Sequence, residues 1–194
     1  MTESILIGVI FIGQIMTRKN WIDIHLYIST FFLPLLLLFS ITGTLYMLGE
    51  KGSESRELVL TFEAPLSKNI DKLQLEINEV LKSQNIKPDY EYLKLKGGSI
   101  YLRPTSRNHY MIKRGSPNKL YKVQPSAQKL FMELHKGHGP TLFKYFSILF
   151  GFPFLVIVFS GAYLGISNKA LRKKTIPALV AGIAVTGILI LLYN

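Results

Sequence analysis

Histidines are the residues of this sequence with the clearest capacity for chemistry. His25 lies at the start of a long apolar run, His135 and His138 precede a second run, and His109 lies in the segment between. Ionisable side chains in or at the edge of a membrane are costly and are candidates for function. Imidazole on a membrane helix is typical of axial ligation of haem iron. The alternative is an interfacial histidine that hydrogen-bonds to lipid headgroups or to carbonyl groups.

Spacing limits which of these histidines could share one iron. His135 and His138 are three residues apart and would share a face of a helix, although Gly137 and Gly139 favour a loop. A helix of about 23 residues rises roughly 35 Å, so His25 and the His135/His138 pair cannot ligate the same haem. A bis-histidine site therefore requires both His135 and His138, or a partner subunit that supplies one ligand.

Three apolar runs must position these histidines. They cover residues 26–48, 145–166 and 175–193. Each reaches the roughly 20 residues that a helix needs to cross about 30 Å of hydrocarbon. We predict three transmembrane helices in contact with lipid, and Pro34 and Pro153 mark kinks in the first two.

Small residues in these runs predict close packing of the helices into a bundle. Such residues let helix backbones approach each other in lipid. They lie near the ends of the first two runs and at four-residue spacing in the third: Ser40, Thr42, Gly43, Ser160, Gly161, Gly165, Ala178, Gly182 and Thr186.

A fourth apolar run, residues 5–16, is too short to span a membrane alone. It lacks the basic start of a signal peptide, because Glu3 precedes it. Two interpretations stay open. The run lies in the interface or forms a short, tilted helix, or the native start is Met16.

Basic residues near the helix ends predict the orientation. Arg18 and Lys19 precede the first helix, and a basic loop at 167–174 follows the second, so both can be cytoplasmic. The segment in between is then extracytoplasmic. Trp21 and Tyr193 suit interfacial aromatic belts. The predicted division of the chain is 1–16, 17–48, 49–139, 140–166, 167–174 and 175–194.

The segment 49–139 predicts a small α+β domain. Residues 67–83 have a helical apolar period with Ser67 as the expected N-cap, and residues 126–135 are also expected to be helical. We expect one helix packed on a meander of about four strands. Short β-rich runs between turn residues give the strand candidates: 58–62, 90–95, 99–103, 109–113 and 119–123.

Composition excludes several classes of protein. The chain has 194 residues, 48% of them hydrophobic, a net charge of +11 and no cysteine. The absence of cysteine excludes a disulfide scaffold, a thiolate zinc site and an iron–sulfur cluster. The net charge divides between the flanks of the membrane helices and the segment 49–139. We therefore expect no nucleic-acid partner, and a basic surface also suits anionic lipid headgroups.

The order of several short motifs resembles the PepSY-associated transmembrane helix family over about residues 16–166. A tryptophan and a histidine start the first run, a Thr-Gly pair lies near its end, and a Leu-His-x-x-His-Gly segment and a Ser-Gly pair follow the α+β segment. These residues are Trp21, His25, Thr42, Gly43, Leu134, His135, His138, Gly139, Ser160 and Gly161.

The resemblance implies a membrane protein of the bacterial inner membrane with residues 49–139 forming a degenerate, periplasmic PepSY-like domain. Larger members of this family include reductases that release iron from ferric siderophores and carry b-type haem on helix histidines. The resemblance thus implies His25, His135 and His138 as axial ligands of haem b. The chain departs from the larger members because its third apolar run contains no histidine.

Two functions follow as expectations. In the first, the protein is a haem-bearing electron-transfer component acting on periplasmic ferric iron or a ferric siderophore, as a homodimer or with a second membrane subunit. Its basic external domain would attract anionic ferric chelates. In the second, it is a non-enzymatic accessory protein whose external domain binds or inhibits an extracytoplasmic partner such as a protease.

Overall fold

The computed structural model describes residues 17–192. Helix α1 (Arg18–Met47) is followed by strand β1 (Glu54–Phe62) and helix α2 (Ile70–Ser83). Four strands come next: β2 (Tyr92–Lys96), β3 (Ser99–Arg103), β4 (His109–Lys113) and β5 (Asn118–Pro125). Helices α3 (Ala127–His135), α4 (Thr141–Ser167) and α5 (Lys169–Leu192) complete the order of elements. The predictions for residues 1–16 and for Tyr193 fall outside the described residues.

Helices α1, α4 and α5 are long and apolar enough to span a membrane. They contain 30, 27 and 24 residues. At 1.5 Å per residue the shortest is about 36 Å long, which exceeds the roughly 30 Å of a hydrocarbon core. Their outward surfaces carry many exposed large apolar side chains. The three predicted membrane helices are therefore confirmed as helices, and they indicate a multi-pass membrane protein.

The basic residues after α4 belong to a helix, which corrects the predicted loop at 167–174. A single residue, Asn168, separates α4 from α5. Its side-chain oxygen accepts hydrogen bonds from the backbone N–H groups of Ala170, at 2.9 Å, and Leu171, at 3.3 Å. Because an asparagine in this position satisfies the first N–H groups of a helix, α5 begins before its basic residues rather than after them.

The described chain divides into two compact units. The first holds α1 up to Leu33, α4 from Leu149 onward, and α5. Within it, aromatic rings join α1 to α4: the ring centroids of Trp21 and Tyr163 are 5.2 Å apart. Tight packing of α1 on α4 therefore begins close to the start of α1.

Packing of α5 differs from the prediction. A Cβ atom built on Gly165 of α4 would lie 2.6 Å from the Thr175 hydroxyl oxygen, so α4 and α5 approach closely at this glycine. Ala178, Gly182 and Thr186 are exposed instead, and a Cβ atom on Gly182 would meet no atom within 4 Å. The predicted packing through these last three residues is wrong for the described part of the chain, because α5 presents them outward.

The second unit, residues 34–148, contains a five-stranded antiparallel sheet in the order β1-β5-β4-β3-β2. Strands β2 to β5 pair with their neighbours in sequence, so the predicted meander is present. Strand β1 adds a fifth strand beside β5, with Glu54 opposite Pro125. It begins four residues before the predicted strand at 58–62.

One face of the sheet packs against α2. Apolar residues recur in α2 at intervals of four and are fully buried, which is the spacing that puts side chains on one face of a helix. Burial of each stabilises the domain by about 1.5–3 kcal/mol. The buried core comprises Leu73, Ile77, Leu81, Ile100, Leu102, Ile112 and Leu120.

Asn69 is the N-cap of α2, so the predicted cap at Ser67 is wrong. The Asn69 side-chain oxygen accepts from the N–H groups of Asp71 and Lys72 at 2.9 and 3.2 Å. Ser67 lies two residues earlier, where its hydroxyl accepts from the Asn69 N–H. Asparagine and serine are both good N-caps, so which of the two caps α2 depends on where the apolar face of the helix starts.

The other face of the sheet carries polar side chains. Because successive residues of a strand point to opposite faces, the neighbours of the buried residues, Tyr101, Arg103 and His109, lie on this second face. Helix α3 follows β5 and agrees with the helix predicted at 126–135; its N-cap is Ser126, whose hydroxyl accepts from the Lys129 N–H at 3.2 Å. The sheet and α3 together border a charged cavity.

Candidate functional site

His25 is held by a hydroxyl group of α4 within the first unit. Its Nδ1 lies 2.8 Å from the Oγ of Ser160, a residue that is only 1% exposed. The Ser160 hydroxyl donates to the carbonyl oxygen of Ile157 at 3.1 Å. With the Ser160 hydrogen directed at Ile157, the Ser160 oxygen accepts from the Nδ1–H tautomer of His25. This tautomer leaves Nε2 with its lone pair.

His135 has the same arrangement within the second unit. Its Nδ1 lies 2.6 Å from the Oγ1 of Thr42, which donates to the Leu38 carbonyl oxygen at 2.5 Å. With the Thr42 hydrogen directed at Leu38, Thr42 accepts from the Nδ1–H tautomer of His135, in which Nε2 again keeps its lone pair. The ring of Phe39 packs 5.0 Å from the imidazole. The sequence-predicted candidate His135 is thus fixed in one orientation.

A glycine follows each of the two hydroxyl residues and lies against the imidazole. A Cβ atom on Gly161 would be 3.3 Å from the Cε1 of His25, and one on Gly43 would be 3.5 Å from the Cε1 of His135. We name these groups the His25 clasp (His25, Ser160, Gly161) and the His135 clasp (His135, Thr42, Gly43). The small residues that predicted helix packing therefore receive a histidine ring.

His138 belongs to neither clasp. Its Nδ1–H donates to a carboxylate oxygen of Glu133 at 2.7 Å, whereas His135 contacts α1. The three candidate histidines are therefore not brought together: each has its own hydrogen-bond partner. Within residues 17–192, no group of three or more histidine, aspartate or glutamate side chains is placed to hold a metal ion.

Glu133 is a buried carboxylate that the sequence did not single out. It is 4% exposed and accepts hydrogen bonds from Thr105, Lys136 and His138 at 2.7–2.8 Å. The Lys129 ammonium lies 3.4 Å away. Burial acts to raise the pKa of Glu133, but the hydrogen bonds from His138, Lys136 and Thr105 outweigh it and hold the pKa well below its usual range.

Arg103 is a buried guanidinium that lacks hydrogen-bond acceptors at two of its nitrogens. The residue is 5% exposed, and its Nε and Nη1 atoms are buried without a hydrogen-bond partner among residues 17–192. The contact to Glu133 is only a 3.9 Å ion pair from Nη1, and burial lowers the pKa of Arg103. A buried donor without an acceptor costs on the order of 1–3 kcal/mol, so this arrangement needs an explanation.

A charged cavity of about 330 Å³ contains Arg103 and Glu133 on its wall. His109 also lines it; its Nδ1 lies 2.8 Å from the Arg107 carbonyl oxygen, and burial lowers its pKa. The lining residues come from β1, β2, β3, β4, α3 and adjoining turns. They are Glu54, Arg56, Lys96, Gly97, Tyr101, Arg103, Thr105, His109, Lys129, Glu133, Lys136 and His138.

A second cavity, of about 460 Å³, has His135 on its wall. This volume falls in the range of roughly 300–1,000 Å³ that is usual for ligand and cofactor sites. Apart from one lysine and the imidazole, the wall consists of apolar and aromatic side chains and a glycine. The lining residues are Gly43, Tyr46, Met47, Met132, His135 and Lys136.

Comparison with protein-family models, with curated protein sequences and with solved structures finds no match for this chain.

Proposed function

We propose that the protein is a membrane electron-transfer component that carries b-type haem on His135. The observation that carries the proposal is the His135 clasp beside the apolar cavity of about 460 Å³. A histidine ligand of a metal needs its second ring nitrogen fixed by a hydrogen bond, which sets the tautomer and the ring orientation. Thr42 supplies that hydrogen bond, and Nε2 keeps the lone pair that iron requires.

The residues around His135 fit a haem group. Met132 and Tyr46 would exclude water from one side of a porphyrin, and Lys136, which also pairs with Glu133, would bring positive charge near a propionate. Haem would supply a one-electron couple whose potential depends on axial ligation and burial. Met47 is 86% exposed, so a homodimer or a second membrane subunit would close the open side and supply the second axial ligand.

The other two candidate histidines have different roles in this proposal. His25 has the same hydrogen-bond arrangement as His135 and is the candidate ligand for a second haem. His138 faces Glu133 and the charged cavity. Because that cavity is lined mainly by charged groups, it is poorly suited to a porphyrin, and we assign no haem to His138.

The setting of the proposal follows the basic flanks and the motif order. The protein would be a PepSY-like protein of the bacterial inner membrane, with the sheet domain in the periplasm. Its substrate would be periplasmic ferric iron, reduced from an anionic chelate such as a ferric siderophore. A basic external domain supports this assignment because it raises the local concentration of anions.

An absorption spectrum tests the proposal directly. The full chain is produced in a haem-replete bacterial host, purified in mild detergent and compared with His135→Ala and His138→Ala. We expect a Soret band whose intensity falls by about half or more in His135→Ala, as axial ligation requires, and persists in His138→Ala. A wild-type protein without a Soret band, or an unchanged band in His135→Ala, would contradict haem on His135.

One observation favours a second function, that of a non-enzymatic accessory protein. Each clasp binds one nitrogen of its imidazole within the chain, and side-chain hydrogen bonds of this kind in membrane proteins also serve structure alone, at about 0.6 kcal/mol each. The sheet domain would then bind or inhibit an extracytoplasmic partner such as a protease. In this case the spectrum stays free of haem, and His135→Ala lowers thermal stability only.

A further inference from the structure

The charged cavity has a net positive charge. Five basic residues line it, Arg56, Lys96, Arg103, Lys129 and Lys136, against two acidic ones, Glu54 and Glu133. With both histidines neutral, the lining carries a net charge of +3. Cavities lined by one sign of charge with walls of low dielectric concentrate ions of the opposite sign.

The two acidic residues are already neutralised by neighbours. Glu54 pairs with Arg56 at 2.6 Å and with Lys129 at 3.8 Å. Glu133 pairs with Lys136 at 2.8 Å and accepts from His138. The positive charge that remains belongs chiefly to Arg103 and Lys96, and Lys96 has no ion pair within residues 17–192.

Arg103 supplies the observation that points to a ligand. Its side chain is 7% exposed, it lines the cavity, and its Nε and Nη1 atoms have no hydrogen-bond acceptor in the described part of the chain. Each of these two nitrogens forms, together with Nη2, one of the two edges of the guanidinium that bind carboxylate and phosphate groups with two parallel hydrogen bonds. A buried guanidinium in a wall of this kind lacks only an oxyanion.

We propose that the charged cavity of the sheet domain binds a small soluble polyanion that bears two or three carboxylate or phosphate groups, with Arg103 as its central contact and Lys96 at its rim. The cavity is large enough for a ligand of this size, at about 330 Å³. The ligand would offer oxyanion acceptors to the Arg103 guanidinium. The same oxyanion chemistry occurs in lipid headgroups, so the test must separate the two sources.

The test uses isothermal titration of the full chain in detergent with citrate, pyrophosphate and acetate at constant ionic strength. We expect citrate or pyrophosphate to bind and acetate, with one charge, to bind at least about tenfold more weakly, because each added charge gains from the field of the cavity. Raising the salt concentration should weaken binding. Failure of both polyanions to bind would overturn the proposal.

Two variants and a control locate the site. Arg103→Lys keeps the charge but loses the planar fork, and should weaken citrate or pyrophosphate binding roughly tenfold. Lys96→Gln alters an exposed residue of the cavity, so it should fold normally and weaken binding about threefold. Lys72→Gln removes the same charge from exposed α2, on the opposite face of the sheet, and should change nothing. Equal effects of Lys96→Gln and Lys72→Gln would overturn the proposal.

A second set of measurements, in lipid nanodiscs, distinguishes a soluble oxyanion from a lipid headgroup. The chain is placed in nanodiscs of neutral lipid or of phosphatidylglycerol, and citrate binding is compared at matched ionic strength. Equal numbers of bound citrate ions in both discs support a soluble ligand. Loss of citrate sites in phosphatidylglycerol discs would overturn it in favour of a lipid headgroup. Neither result depends on haem, so this proposal and the electron-transfer proposal fail separately.

Discussion

Glu133 combines near-complete burial with three hydrogen-bond donors. Its folded pKa lies below the ordinary value of 4.5, which it keeps in the unfolded chain. A carboxyl group of this kind contributes stability that is fully present above its unfolded pKa and is lost as the pH falls towards the folded one. Acid should therefore loosen α3 from the sheet through this residue.

We predict that Glu133→Gln reduces the acid sensitivity of folding. The wild type should lose thermal stability as the pH falls below about 4.5, its ordinary pKa. The variant should be less stable at neutral pH but should show a flatter dependence below that pH, because glutamine does not titrate. Thermal unfolding in detergent between pH 3 and pH 7 measures both. Glu57→Gln, at an exposed carboxyl, is the control, and a steeper acid dependence in Glu133→Gln would refute the prediction.

At the same scale, the sequence predicted some site residues and not others. His25 and His135 were candidates because ionisable groups beside apolar runs are conspicuous. Arg103 and Glu133 had no such signal, since each lies in a short element of mixed composition. Alternation with Ile100 and Leu102 does place Arg103 on the second face of the sheet, but its burial depends on α3, which follows more than 20 residues later.

The bounds of the helices and strands were predicted better than the contacts between them. The apolar period of α2 and the turn residues between strands fix local structure, so the bounds agree within a few residues. The pairing of β1 with β5 and of each histidine with its hydroxyl joins residues 56–135 positions apart in the chain, from the Phe62–Asn118 pair to the His25–Ser160 bond. Local patterns contain no signal for such contacts.

The glycines of the two clasps give a prediction at the scale of helix pairs. Gly161→Ala would place a methyl group 3.3 Å from His25, whereas Gly43→Ala would place one at an ordinary 3.5 Å from His135. We expect Gly161→Ala to destabilise the chain by about 1 kcal/mol through overpacking. Gly43→Ala should be neutral or slightly stabilising, because alanine favours the helix.

Thermal midpoints of the two variants in one detergent provide the comparison. A lower midpoint for Gly161→Ala alone agrees with the geometry of the clasps. Equal losses in both variants, or a larger loss in Gly43→Ala, would show that the spacing between glycine and imidazole does not control helix pairing.

For the whole molecule, three helices that could span a membrane predict that the sheet domain and the start of α5 lie on opposite sides. The chain has no cysteine, so single cysteines introduced at exposed sites report topology without background. We expect a membrane-impermeant maleimide to label Ser83→Cys in intact spheroplasts and Lys173→Cys only after permeabilisation. The reverse pattern would invert the orientation, and labelling of both would contradict the number of crossings.

The position of β1 in the sheet determines how late in synthesis this strand can pair. Glu54 pairs with Pro125, so the first strand to be made receives its partner only after about 70 further residues. At 5–20 residues per second that interval is about 4–14 s. Strands β2 to β5 can pair as soon as each is synthesised. Strand β1, which follows the first apolar helix in the chain, stays an unpaired edge until β5 is made. A ribosome that stalls before β5 would therefore leave a domain that lacks Leu120 of its core and has β1 unpaired at its border.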